Sequence, residues 1–232
     1  MNIEEYFSKL NEESQRIFQA SMAYRGKLGM AHHSSACLFE FALNLRDESE
    51  RNLLEIVSSQ LESATFNACV GMYRQSFAAL RLALELGLAA AHFSVHKLEH
   101  HEWLNGDMDI KWASLVSPTD GVLSAKFANA FFPQLSTEFN VYRQQATDVY
   151  RTLSEFVHGN RGTWEECGIK LEFKQEVIET YFVHFRTVTE IILIVLSCRY
   201  LRGFPKTAID SLEFIPEEMK HIACLRQFFG GP

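Results

Sequence analysis

From Glu48 to His101 apolar residues recur at the spacing of an α-helix, with turn chemistry only near Gly71. A segment of that length held to one period has little choice but to pack helix against helix, and the same period governs most of the rest of the chain. The expected fold class is therefore all-α. Alternation with a period of two appears only at Ile169, Leu171 and Phe173, so at most one short strand or extended segment is expected. The spacing predicts a first helix over about 2–25, broken by Gly26 and Gly29, then a short apolar helix beyond His32-His33-Ser34-Ser35. Further helices are predicted over about 48–101 with a bend near Gly71, about 135–158, about 174–201 before Gly203 and Pro205, and about 216–229.

The stretch from Met72 to His92 is rich in alanine, leucine and glycine, small enough in places for a neighbouring helix to approach closely, and is expected to be central. Between Asn105 and Pro133 the pattern weakens into short pieces carrying Trp112, Phe127, Phe131 and Phe132, just after Trp103. This aromatic-rich insertion is expected to pack in the core or at an interface, with base stacking as the functional alternative. Neither a repeat nor a linker is evident, so residues 1–232 are expected to form a single helical domain.

Composition narrows the function. The five cysteines are scattered, odd in number and without a Cys-x-x-Cys pair, which speaks against a disulfide framework or a thiolate zinc site and for a reducing cytoplasm. The start, Met-Asn-Ile-Glu-Glu-Tyr-Phe, lacks the positive flank and apolar core of an export signal. The most apolar run, Ile191 to Cys198, is bracketed by Glu190 and Arg199, far short of the ~20 residues of a membrane span, and is expected to be a buried helix. A formal net charge of −7 limits any polynucleotide contact to a local positive patch. The phosphate loop, the dinucleotide fingerprint and the nucleophile elbow are all missing, and no cofactor is expected.

The residues with the clearest chemical potential are Arg151 and His158, in Tyr150-Arg-Thr-Leu-Ser-Glu-Phe-Val-His-Gly-Asn160. Seven positions are nearly two helical turns, so the two side chains leave one helix within about 20° of each other. Gly159 is expected to stop the helix and leave the imidazole at its end. Histidine can move a proton near neutral pH, and arginine can hold phosphate oxygens through its planar fork. A purely structural reading stands beside this: a histidine in the last turn complements the helix dipole, and Arg151 can pair with Glu155 at i+4.

The Arg-x6-His spacing, the surrounding Leu153-Ser154-Glu155-Phe156-Val157-His158-Gly159, and the upstream Tyr73-Arg74 and Leu80-Arg81-x-x-Leu84-Glu85 resemble the HEPN superfamily over residues 48–201. The resemblance implies a HEPN-like helical bundle with added terminal helices, and a metal-independent endoribonuclease that uses the RNA's own 2′-hydroxyl as nucleophile. It implies further a homodimer that brings two Arg-His pairs into one cleft, and a role as a toxin or antiviral effector with an inhibitor or defence-system partner. Arg151 and His158 would be catalytic, with Ser154, Asn160, Arg74 and Arg81 as secondary substrate contacts. Ser154 and Asn160 have a local backbone-satisfying alternative, and Arg81 has an i+4 ion pair with Glu85. Catalytically silent members of the family are binding modules, and the acidic charge with the aromatic segment makes a helical interaction module the alternative function.

One further polar group is His92, His96 and His100, with Glu99 and His101 alongside. At i, i+4 and i+8 of a continuous helix the three histidines follow one another on one side and could bind a transition metal. An exposed, histidine-rich helix end without metal is the default reading.

Overall fold

The structure is a computed structural model that describes residues 2–158 and 170–232. It is all-α, with no strand among the described residues. Helix α1 (Ile3–Ser21) opens on a capping box in which Asn2 accepts from the Glu5 amide and Glu5 returns to the Asn2 amide. A single turn of 3₁₀ helix, Met22–Tyr24, leads into α2 (Arg25–Leu43). α3 (Glu48–Cys69) starts at Asp47, whose carboxylate caps the Glu50 amide, and α4 (Tyr73–Phe93) follows.

The connection from α3 to α4 turns at Gly71 with φ +82°, and an added Cβ there would meet Ile17 at 2.7 Å, so both backbone and space demand glycine. α3, α4 and α2 pack side by side. α8 (Phe139–His158) and α9 (Gln175–Tyr200) close the other sides of α4, which is thereby central as the sequence predicts. From Leu86 to Phe93 every residue of α4 is buried. At Gly87 the approach of α9 is so close that a Cβ would lie 2.6 Å from Ile192.

After α4 the chain breaks at Ser94-Val95-His96 and resumes as α5 (Lys97–Leu104), so the single helix expected to reach His101 is two. The break is tied down: Arg199 donates to the Ser94 hydroxyl at 2.6 Å, and Lys97 bridges Asp47 and Glu50. Glu50, though buried, also accepts from the Tyr200 hydroxyl at 2.8 Å, so its charge is compensated from two sides. The aromatic insertion forms α6 (Trp112–Leu115) and α7 (Ala125–Phe131), and Phe127, Phe132 and Leu123 are buried core residues.

α8 (Phe139–His158) and α9 (Gln175–Tyr200) are the two remaining long helices, both close to their predicted extents. Ile191 through Cys198 is buried throughout, as expected. α4 and the stretch Gln175–Gly203 each have the length and hydropathy of a membrane span, with 72% of the apolar window inside the bundle in both cases. Leu171 and Phe173 lie in a non-helical stretch that forms no strand. At the C-terminus the helix predicted over about 216–229 is two short ones, α11 (Phe214–Glu218) and α12 (Ala223–Phe228), and a further short helix outside the predicted ones, α10 (Lys206–Ser211), precedes them. Gly26 and Gly29 do not break the N-terminal region either, because both lie inside α2.

Candidate active site

α8 is unbroken through His158, so Arg151 and His158 share the face that seven-residue spacing dictates. The core face of the helix is Tyr142, Ala146, Val149 and Leu153, which places Arg151 on the far side of the axis from Val149 and Leu153. Arg151 is accordingly exposed, with its Nε 3.8 Å from the Glu155 carboxylate, the i+4 ion pair of the structural reading. His158 is also exposed but reaches a different residue: its Nε2 lies 3.4 Å from Arg81 Nη1. The two side chains thus share a helix face without sharing a partner.

Arg81 organises the junction between α4 and α8. Its Nε and Nη2 donate to Glu85 at 3.3 and 3.2 Å, its Nη2 donates to the Tyr150 hydroxyl at 2.6 Å, and its guanidinium lies 4.6 Å from the centre of the Tyr150 ring. Tyr150 in turn stacks on Trp112 of α6, centroids 3.8 Å apart and planes 5° from parallel. With its arm fixed by Glu85 and Tyr150, Arg81 presents the remaining edge of its fork toward His158. Burial, then the neighbouring Glu85 carboxylate, push the Tyr150 phenol above its ordinary pKa, so it remains protonated in the neutral range.

About one turn back along α4 from Arg81, Phe77 stacks on Phe156 at 3.8 Å, and nearly two turns back Arg74 donates to the carbonyl of Val157 at 2.8 Å. Residues 74, 77 and 81 form one face of α4, and that face meets the last two turns of α8. Arg74 thereby ties α4 to a carbonyl in the last described turn of α8. The pair of arginines at seven-residue spacing both reach the end of α8, as sequence reasoning allowed. What it ranked second, Arg81, is the residue that meets His158. Ser154 donates back to the Tyr150 carbonyl at 2.7 Å, the local role that was its alternative. Asn160, Gly159 and the expected helix stop lie outside the described residues.

Tyr150, Trp112 and Glu85 are the members of this junction that sequence reasoning did not select as site residues. The available signal was Tyr150, adjacent to Arg151 and hence about 100° around the helix from it, toward the packed side. Trp112 carried none, since the insertion has no pattern that says which helix it covers. Two open clefts lie elsewhere. One of about 560 Å³ lies between α1 and residues 170–173, and one of about 860 Å³ is lined by α10–α12; neither includes Arg81, Arg151 or His158.

The histidine group is rearranged by the break after α4. His92 Nε2 donates to the Glu99 carboxylate at 2.8 Å, and His96 Nδ1 lies 3.7 Å from the other Glu99 oxygen. His100 faces away. It is buried against Phe93, rings 5.0 Å apart and within 1° of parallel, so it does not join His92 and His96 as a third ligand.

No family model, no curated protein and no solved structure matches the chain. What stands established is an all-α chain in which the first half of α4 and the second half of α8 bring Arg74, Arg81, Tyr150 and His158 to one junction.

Proposed function

We propose that the chain is a metal-independent endoribonuclease of HEPN type, with its chemistry at the exposed end of α8. The observation that supports this reading is the 3.4 Å approach of Arg81 to His158, which sets an always-charged fork beside a proton-transfer group. His158 would take the proton of an RNA 2′-hydroxyl as its oxygen bonds to phosphorus. The bond from phosphorus to the 5′-oxygen then breaks, and that oxygen takes a proton from the His158 of a second copy of the chain. Arg81, together with Arg151 from the same helix face, would carry the charge of the phosphorane. The products are a 2′,3′-cyclic phosphate and a free 5′-hydroxyl.

One feature favours the second reading, a silent interaction module. Arg81 and Arg151 each have a carboxylate at i+4, Glu85 and Glu155, so part of their charge is already met. A single assay separates the readings. Single-stranded RNA incubated with the protein in EDTA is expected to give fragments ending in 2′,3′-cyclic phosphate. His158→Ala is expected to lower the rate by about 10²–10⁴-fold, the usual worth of a general acid or base. Arg81→Lys, which keeps the charge and loses the fork, is expected to lower it less. Intact RNA with wild-type protein would favour the module, and cleavage undiminished in His158→Ala would remove this site from the mechanism.

A further inference from the structure

We propose that His92, His96 and Glu99 form a binding site for one divalent transition-metal ion of the Zn²⁺ class, which clips the corner between α4 and α5. The side-chain ligand atoms of these three residues already lie within 4.8 Å of one another. A tetrahedral ion with bonds of about 2.0–2.1 Å needs ligand atoms roughly 3.3 Å apart, so closure asks for movements of about an ångström, within the reach of side-chain torsions. Two imidazoles and a carboxylate suit zinc and its neighbours, and they leave a fourth position for water.

The corner is what creates the site. On an unbroken helix, seven residues advance about 10 Å along the axis, too far for His92 and Glu99 to share an ion. The break at Ser94-Val95-His96 turns the chain so that the first turn of α5 comes back beside the last turn of α4, and His92 and Glu99 meet at 2.8 Å. His92 is 9% exposed and fixed by its position in α4, while the side chains of His96 and Glu99 are 45% and 40% exposed and free to adjust. The rings of His92 and His96 stack at 4.2 Å with planes 25° apart. Coordination, in which each lone pair points at the ion in its ring plane, requires that stack to open, and His96 is the ring with room to swing.

Charge at the corner is arranged to suit. Lys97, in the same turn, is engaged by Asp47 and Glu50. Arg81 precedes His92 by eleven residues of continuous helix, about 16 Å, so the metal site is separate from the junction assigned to RNA cleavage.

The test uses full-length protein without a histidine tag, stripped with EDTA and exchanged into chelator-free buffer. Calorimetric titration with Zn²⁺ is expected to give one ion per chain, and Co²⁺ is expected to develop the strong visible bands of a tetrahedral N₂O-ligated site. His96→Ala and Glu99→Gln, both at exposed side chains that the core does not need, are expected to weaken Zn²⁺ binding at least ten-fold and abolish the Co²⁺ bands. His32→Ala, at a surface histidine paired with Glu62, is expected to change neither. Absence of stoichiometric Zn²⁺ binding by the wild type, or unchanged affinity in both corner variants, would overturn the proposal. Cleavage in EDTA is scored separately, so loss of one reading leaves the other standing.

Discussion

His100 sits one residue from a carboxylate that faces solvent and yet is turned fully into the core, stacked on Phe93, with its Nε2 buried and without a hydrogen-bond partner among the described residues. Burial, followed by the charge of Lys97, lowers its pKa from the ordinary 6.5, and burial alone lowers that of His184 beside Phe77. Both groups therefore bind protons more readily in the unfolded chain. Stability from this source is complete above pH ~6.5 and is lost as pH falls below it, since the unfolded state then takes up protons that the fold resists. The thermal midpoint is expected to drop between about pH 7 and pH 5, above the range where carboxylates such as Asp47 titrate. His100→Phe keeps the stacked ring and removes the orphaned nitrogen, so it should raise the midpoint at pH 7 and flatten the decline. A slope as steep as that of the wild type would show that His100 does not carry the effect.

The residues of the candidate site were legible in unequal degree, for reasons that belong to this scale. The shared face of Arg151 and His158 follows from helix geometry alone, and so does the Arg151–Glu155 pair. That His158 would meet Arg81 was not legible, because it depends on which residues of α4 face the last turn of α8. Helical period states only that Arg74, Phe77 and Arg81 share a side. The inward turn of His100 was hidden for a related cause: it depends on the break at Ser94, a position with no glycine or proline to announce it.

At the scale of elements, α8 and α9 were readable because their apolar residues repeat steadily, whereas the boundaries that went astray were those assigned to glycine or to a continuous pattern. Gly26 and Gly29 have open space around them and cost the helix roughly 1 kcal/mol each, which the burial of Ala31, Leu38 and Phe41 farther along α2 offsets. The C-terminal helices show the reverse. Leu212, Ile215, Met219, Ile222 and Leu225 are buried at spacings of three and four that suit one helix, yet tertiary fit divides that stretch into α11 and α12. Within α4, Gly87 has a structural use for its missing side chain. Gly87→Ala would place a methyl group 2.6–3.0 Å from three atoms of fully buried Ile192. Overpacking of that kind costs about 1–3 kcal/mol, against a gain of up to ~1 from helix propensity, so a net loss of about 1–2 kcal/mol is expected in denaturant unfolding. On an Ile192→Ala background, which removes all three contacted atoms, the same substitution should cost nothing or stabilise. Equal cost on both backgrounds would mean that the contact between α4 and α9 is not what excludes a side chain.

At the scale of the whole molecule, the proposed cleavage asks for more than one chain supplies. In-line displacement at phosphorus requires a base on one side and an acid on the other, and the end of α8 offers one histidine. The other groups at the junction do not fill the vacancy: the Tyr150 phenol is a weaker acid than usual, and Glu85 accepts from Arg81. A second His158 from another copy would complete the pair, and a twofold axis beside the exposed end of α8 delivers it using one surface patch twice. His158 and Arg151 are exposed, as that arrangement requires, and the positive charge of the two Arg151 side chains would be gathered in the shared groove of a chain whose formal net charge is −7. The consequence is kinetic as well as structural. Light scattering across a dilution series should show a dimer dissociating to monomer, and RNA cleavage per chain should fall over the same concentrations. Mixing wild-type chains with an excess of His158→Ala chains, and allowing exchange, should suppress wild-type activity, because most wild-type chains would then sit in dimers with one histidine. Undiminished activity in protein that scatters as a monomer throughout would sink the two-copy site and return both proton transfers to a single chain.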